Sequence, residues 1–169
     1  MADDDIVDIV DADDRVLRQV TRAEMRREGL RHRAVYVVVR TSADGVVVHR
    51  RADWKDVYPG RWDVCFGGVL DAGETWPEAA ARELTEEAGI EAPLTEVRRG
   101  VVEDGSVAVV GRVFEAVHDG PYPCPDGEVV EVRVIARTGL AAFLAANEHC
   151  PDSVALVLPW LTRAEAPLP

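Results

Sequence analysis

The sequence predicts a single mixed α/β (α+β) domain, and three observations lead to this prediction. The run AVYVVVR from Ala34 to Arg40 is continuously apolar, which is typical of a central strand buried on both faces. The segment from Thr75 to Gly89 carries the start and stop signals of a helix. A chain of 169 residues is long enough for one sizeable core and too short for two ordinary domains. We therefore expect one domain over residues 1–169.

The other segments fit strands and helices around that centre. Residues 1–5 read as a flexible acidic tail, and Thr21 with Glu24 predicts a capped helix that ends at Gly29. The last helix should begin near Asp152 or Ser153, either of which can act as its N-cap. Strands are predicted in IVDIVDADDRVLRQV (two, around a polar turn), VVVHRRA, DVCFGGVL, 95–103, 107–117 and EVVEVRVIA, with a further helix at about 139–147.

The central helix has well-marked ends. Thr75 is a suitable N-cap, and Glu78 three residues later completes a capping box. Pro77 lies in the first turn, where its missing N–H costs little. Gly89 is the expected left-handed residue after the last turn. The helix therefore occupies about residues 76–88.

Three glutamates stand at i, i+3 and i+4 near the end of this helix, namely Glu83, Glu86 and Glu87. Like charges at this spacing repel, and the one nearby cation, Arg82, is placed to reach Glu78 and Glu86. Carboxylate oxygens on a rigid helix suit Mg²⁺ or Mn²⁺. The alternative is a solvated acidic face, which is the usual fate of charged helical runs.

The complete pattern resembles a known signature. Gly68, Glu74, Arg82-Glu83-Leu84, Glu86-Glu87 and Gly89-Ile90 stand at the spacings of the Nudix (MutT-like) hydrolase superfamily, within residues 67–90. The resemblance implies an α/β/α sandwich with a mixed β-sheet and a loop–helix–loop metal site. It also implies hydrolysis of a phosphoanhydride bond in a nucleoside diphosphate linked to another moiety.

The same resemblance implies residue roles. Glu83, Glu86, Glu87 and Arg82 are the expected catalytic residues, and Mg²⁺ or Mn²⁺ is expected on the three glutamates and the Gly68 carbonyl. Arg82 and Glu74 are expected to hold the loop and the helix in position. The general base is left open between Glu83 and three glutamates outside the signature, which are Glu103, Glu128 and Glu131.

A second likeness concerns the branch that contains isopentenyl-diphosphate isomerase. The arrangement RHRAVYVVV…PGRWDV and residues 113–129 are similar to that branch, and His32 falls where the isomerase has a metal-binding histidine. However, Val107 and Val109 stand where the isomerase carries functional glutamates, and Cys65 lacks the isomerase context. Isomerase activity is therefore disfavoured. A non-catalytic nucleotide sensor is the other alternative, and the intact signature glutamates disfavour it.

Charge limits the partners. The net charge of −12 argues against a nucleic-acid polymer or an anionic membrane. Between Arg22 and Arg61, however, ten basic residues against five acidic ones give a local +5, which suits a small diphosphate substrate. The expected substrate contacts are His32, Arg51, Arg61 and Glu128. Diadenosine polyphosphates, ADP-ribose, NDP-sugars and damaged nucleotides all stay open as substrates.

Three widely spaced cysteines, Cys65, Cys124 and Cys150, read as reduced thiols. The acidic N-terminus and the lack of a long apolar run argue against a signal peptide or a membrane span. We therefore expect a cytoplasmic protein. Exposed apolar surface would allow a homodimer.

Overall fold

The computed structural model describes residues 3–162. The strands are β1 (Ile6–Val10), β2 (Val16–Thr21), β3 (His32–Arg40), β4 (Gly45–Arg51), β5 (Trp62–Asp63), β6 (Thr95–Glu103), β7 (Ala108–Val117) and β8 (Val129–Ala136). The helices are α1 (Arg22–Glu28), α2 (Trp76–Glu83), α3 (Leu140–Ala146) and α4 (Pro151–Leu161), with a π-helical turn at Leu84–Ala88 and a 3₁₀ turn at Arg137–Gly139. No helix within 3–162 has the length and apolar character needed to cross a membrane.

The strands form one mixed, strongly curled sheet. β3 runs parallel to β7 over nine residue pairs, and β7 pairs antiparallel with β6. β4 pairs antiparallel with β8 and with β5. β3 and β4 share only the pair Arg40–Val46 beside their connecting turn. The two halves therefore diverge from this corner, which opens a cleft between them.

Side-chain alternation along β3 creates the layers. Val35, Val37 and Val39 enter the core beneath α2, whereas Ala34, Tyr36 and Val38 enter the core beneath α3 and α4. Successive residues of a strand point to opposite faces, so an apolar run can serve two cores at once. The predicted α/β/α sandwich with a mixed sheet is confirmed.

The helix ends follow the expected chemistry with one exception. Thr21 accepts a hydrogen bond from the Glu24 N–H, and Gly29 closes α1 in the left-handed conformation. The last helix begins earlier than predicted, because Cys150 occupies the N-cap position and Pro151 the first turn. Pro fits this first turn because its ring presets φ and its missing N–H is not needed there.

The acidic N-terminal segment is only partly described. Residues 1 and 2 lie outside the described part of the chain. The backbone carbonyls of Asp3 and Asp5 accept hydrogen bonds from the N–H groups of Ala23 and Arg22. These two contacts join the segment to the first turn of α1.

Candidate active site

Two glycines bring the signature loop against the central strand. The segment 66–69 pairs antiparallel with β3, with the Val35 N–H donating to the Gly68 carbonyl at 2.9 Å. A Cβ added to Gly67 would lie 2.0 Å from the Val35 carbonyl oxygen. A side chain cannot fit at this distance, so glycine is needed where the loop approaches the strand.

The helix presents two glutamates to this loop. Glu83 and Glu87 are 7% and 4% exposed and face inward, whereas Glu86 is exposed. The π-helical turn Leu84–Ala88, closed by Gly89 at φ 71°, follows α2. Such wider turns shift the direction of side chains and occur often at functional sites. The Gly67 N–H donates to Glu87 Oε2 at 2.9 Å, which fixes this carboxyl beside the glycine loop.

Burial makes both carboxylates costly to ionise. The pKa of Glu83 is raised by burial, although the Arg82 charge opposes the shift. The pKa of Glu87 lies well above its usual value because of burial and the negative charge of Glu83. Two buried carboxylates that repel each other call for a cation between them.

Arg82 holds the loop and the helix together. Its guanidinium donates twice to Glu74, at 2.9 Å each, and once to the Val69 carbonyl at 3.2 Å. It also lies 2.6 Å from Glu83 and 3.3 Å from Glu86. The expected contact between Arg82 and Glu86 is therefore present.

The expected contact between Arg82 and Glu78 is not formed. Glu78 instead accepts hydrogen bonds from the N–H and the hydroxyl of Thr75, as the capping box requires. One carboxylate group cannot close the helix N-terminus and also reach one turn further along the helix. The cap therefore decides the position of Glu78.

Replacing Arg82 with lysine should loosen the signature loop. A lysine keeps the charge but cannot donate twice to Glu74 and once to Val69. We expect the free energy of unfolding to fall by about 2 kcal/mol, because Glu74 loses a charge-assisted bidentate pair. Urea unfolding curves test this, with Arg99→Lys, on the exposed face of β6, as the matched control. Equal stability of both variants and the parent protein would contradict the holding role.

The three candidate bases outside the signature, Glu103, Glu128 and Glu131, lie in different surroundings. Glu128 lies beside the signature glutamates, where it lines the same cleft and pairs with Lys55. Partial burial opposes ionisation of Glu128, but Lys55 outweighs it and lowers the pKa of this carboxyl. Glu103 is exposed and pairs with Arg31 at 2.7 Å, and Glu131 pairs with Arg133 at 2.6 Å. Glu128 therefore lines the cleft, and the other two do not.

A cleft of about 280 Å³ has both acidic and basic side chains in its lining. The acidic residues are Asp56, Glu83, Glu86, Glu87, Asp126 and Glu128, and the basic residues are Arg22, Arg26, Arg51 and Lys55. The Arg51 guanidinium also donates to the Val57 carbonyl at 3.2 Å and lies 3.9 Å from Asp63. A lining with both charges suits a ligand that carries phosphate together with a metal ion.

The structure gives the four predicted substrate contacts three different placements. Arg51 and Glu128 line the cleft. His32 is 3% exposed and lines a second, smaller cavity, and burial lowers the pKa of its ring to about 4. Arg61 lines neither cavity, because its guanidinium lies over the Tyr58 ring at 5.5 Å and donates to the His149 carbonyl at 3.3 Å. The role of Arg61 as a substrate contact stays a prediction.

Sequence reasoning missed several charged cleft residues, among them Arg26, Lys55 and Asp126. The two basic ones lie within the segment of positive charge between Arg22 and Arg61, which was a general signal. No sequence pattern pointed to Asp126 as a cleft residue, because this residue lies in the proline-rich loop before β8. Only the fold brings this loop to the signature helix.

The donor set fits a divalent cation. Glu83 and Glu87 are buried acids, and Glu86 and the Gly68 carbonyl add oxygens, which are the ligands that Mg²⁺ and Mn²⁺ prefer. Among the described residues, however, no three acidic, histidine or cysteine side chains are already spaced to hold a metal. Arg82 and Lys55 pair with Glu83 and Glu128 respectively. Metal binding would therefore require Glu83 to exchange the Arg82 guanidinium for the ion.

Comparison with known proteins gives a consistent result. Residues 30–155 match the family model described as the NUDIX domain. The Nudix hydrolase YfcD of Escherichia coli strain K12 is 37% identical over 164 residues, which cover 96% of this chain and 90% of YfcD. DR0079 from Deinococcus radiodurans superposes with a TM-score of 0.80 at 24% identity, over 94% of this chain and 99% of DR0079. The NUDIX domain of Shewanella oneidensis NrtR complexed with ADP ribose superposes with a TM-score of 0.56 at 18% identity, over 80% of this chain and 94% of that one.

Proposed function

This chain belongs to the Nudix hydrolase family, and we propose that it cleaves, with Mg²⁺ or Mn²⁺, a nucleoside diphosphate linked to another moiety. The family membership makes it a hydrolase that acts on pyrophosphate bonds. Family membership does not specify the metal or the class of substrate, and these are what we propose.

One observation carries this proposal. The buried acids Glu83 and Glu87 line the same cleft of about 280 Å³ as Arg26 and Arg51. An acidic surface that served only solubility would be exposed and would not be buried against a glycine loop. ADP ribose, which is bound by the NrtR domain, belongs to the same class of nucleoside diphosphates linked to another moiety.

We assign different roles in hydrolysis to different residues of this chain. Glu83, Glu86 and Glu87, with the Gly68 carbonyl, would hold the metal. When bound, this ion neutralises phosphate oxygens and lowers the pKa of a coordinated water. Arg26 and Arg51, which line the same cleft, orient the diphosphate, because guanidinium groups pair well with phosphate.

We assign the proton-accepting role to Glu128. Glu128 lines the cleft beside the signature glutamates and comes from outside the signature helix, so its carboxylate can accept a proton from water without giving up a metal contact. The attacking water loses its proton to this carboxylate as its oxygen bonds to phosphorus, and the bridging P–O bond breaks. The products are a nucleoside monophosphate and the phosphorylated second moiety.

Two further proposals concern the setting of the protein. Its three cysteines are free thiols, which fits the reducing cytoplasm. The large apolar side chains Val16 and Leu17 on β2 are 49% and 64% exposed. These exposed side chains are compatible with a homodimer.

A substrate panel tests the proposed function. The protein is incubated with diadenosine polyphosphates, ADP-ribose, NDP-sugars and oxidised nucleoside triphosphates, with Mg²⁺, with Mn²⁺ and with EDTA. We expect metal-dependent release of a nucleoside monophosphate from at least one compound, with no release in EDTA. The Glu128→Gln variant should retain substrate binding but lose most of kcat. Inertness toward the whole panel with both metals, or full activity in EDTA, would overturn the proposal.

A further inference from the structure

A second cavity of about 80 Å³ lies directly behind the cleft. Five residues border both spaces, which are Arg26, Arg51, Gly67, Gly68 and Val69. The inner cavity therefore opens at the place where the two arginines would hold a diphosphate. A group attached to that diphosphate would lie next to the inner cavity.

The inner cavity is lined by hydrogen-bond acceptors. Asp152 comes from the first turn of α4, and its Oδ2 accepts a hydrogen bond from the Tyr36 hydroxyl at 2.9 Å. Asp63, which is 8% exposed, lies on the same lining. His32 has Nδ1 at 2.9 Å from the Leu30 carbonyl, so its Nδ1 carries the proton and its Nε2 is an acceptor.

These acceptors are not needed for the chemistry at phosphorus. Asp152 and Asp63 are absent from the lining of the cleft that holds the signature glutamates. Burial raises the pKa of Asp152 to about 6, and the negative charge of Asp63 contributes. The carboxyl is therefore still largely ionised at pH 7. Asp63 is buried and already accepts from the N–H groups of Val64 and Cys65, and the half-buried Asp152 already accepts from Tyr36. An ionised carboxylate has about four acceptor sites, so each can accept a further hydrogen bond from a ligand in the cavity.

We propose that the inner cavity binds the moiety joined to the diphosphate and selects a small head group that donates a hydrogen bond, an amine or a hydroxyl, to Asp152. This inference rests on the proposed function and specifies its substrate class. The apolar part of the lining, including Val107 and Val109, covers the carbon atoms of the head group. A cavity of about 80 Å³ limits the head to a few heavy atoms.

A pair of matched substrates tests the selection. ADP esterified at its β-phosphate with 2-aminoethanol differs from the n-propyl ester only in an amine that replaces a methyl group. We expect the parent protein to have a KM at least about tenfold lower for the aminoethyl ester, because the amine gains a charge-assisted hydrogen bond. In Asp152→Asn this advantage should disappear, so that the two esters have similar KM values.

Two controls accompany these measurements. Asp13→Asn, in the exposed turn between β1 and β2, should leave the preference intact. Inhibition by methylenediphosphonate, which reports only on the phosphate cleft, should be the same in all variants. Equal KM values for the two esters in the parent protein, or an equal effect of Asp152→Asn on both esters, would overturn the inference.

A binding measurement separates this inference from the proposed function. Calorimetry with 2-aminoethyl phosphate and n-propyl phosphate needs no turnover. Suppose that neither ester is cleaved, but the aminoethyl compound binds more tightly and loses this advantage in Asp152→Asn. The inferred selectivity of the cavity is then supported and the proposed hydrolysis is refuted. If the esters are cleaved and no binding preference appears, the hydrolysis stands and the inferred selectivity fails.

Discussion

Replacing Glu87 with glutamine is expected to lower kcat of the metal-dependent reaction by roughly 10³-fold. The glutamine amide keeps the shape of the side chain and can still accept the hydrogen bond from Gly67, but it carries no charge for the metal. The folded structure should persist, because the substitution removes a buried negative charge beside Glu83. Steady-state kinetics with Mg²⁺ and circular dichroism of the same preparation measure both effects.

Substitutions at two exposed glutamates, Glu86 and Glu91, are compared with Glu87→Gln. Glu91→Gln, just beyond the helix, makes the same chemical change at an exposed position and should retain full activity. Glu86→Gln should also abolish turnover if all three glutamates hold the ion. Full activity of both Glu86→Gln and Glu87→Gln would refute the assigned metal site. Loss of folding in Glu87→Gln would instead make the role of this residue structural.

The adjacent glycines should respond in different ways to alanine. In Gly67→Ala the new Cβ would lie 2.0 Å from the Val35 carbonyl oxygen, which belongs to a central strand and cannot move aside. We expect the free energy of unfolding to fall by about 3 kcal/mol or more, or the protein not to fold. Thermal unfolding and the yield of folded protein measure this effect.

Gly68→Ala is the matched variant. Its Cβ would lie 2.5 Å from Glu83 Oε1, which is the end of a side chain and can rotate away. We expect this variant to fold with near-normal stability and to lose about 10- to 100-fold in kcat, since the Glu83 carboxylate is displaced. Equal stability of Gly67→Ala and the parent protein would contradict the described pairing of this loop with β3.

The two alternative functions are not favoured. An isomerase needs acid and base groups at the carbon atoms, and the inner cavity has valine at the two positions in question, Val107 and Val109. A sensor that binds without cleaving would not require Glu83, Glu86 and Glu87 to be intact. Family membership supports hydrolysis of a pyrophosphate bond.

The limits of sequence reasoning are clearest at α4 and at Arg61. Both Asp152 and Ser153 have good N-cap side chains, but Asp152 accepts from Tyr36 and Ser153 donates to the Cys150 carbonyl. The contact between Tyr36 and Asp152 spans 116 residues of sequence, and no local pattern encodes it. Arg61 is likewise in a basic segment, but the path of its loop turns it toward Tyr58 and His149.

The sequence by itself determined the signature helix, its caps, the central two-faced strand and the family, because these depend on spacings within a short stretch of chain. The tertiary structure alone decided which charges meet. It brought Glu128 and Lys55 to the signature glutamates, left Glu103 and Glu131 outside, and placed Asp152 and Asp63 around a cavity behind the cleft. The physical reason is that contacts between distant segments depend on how the curled sheet packs against its helices, which no local spacing specifies.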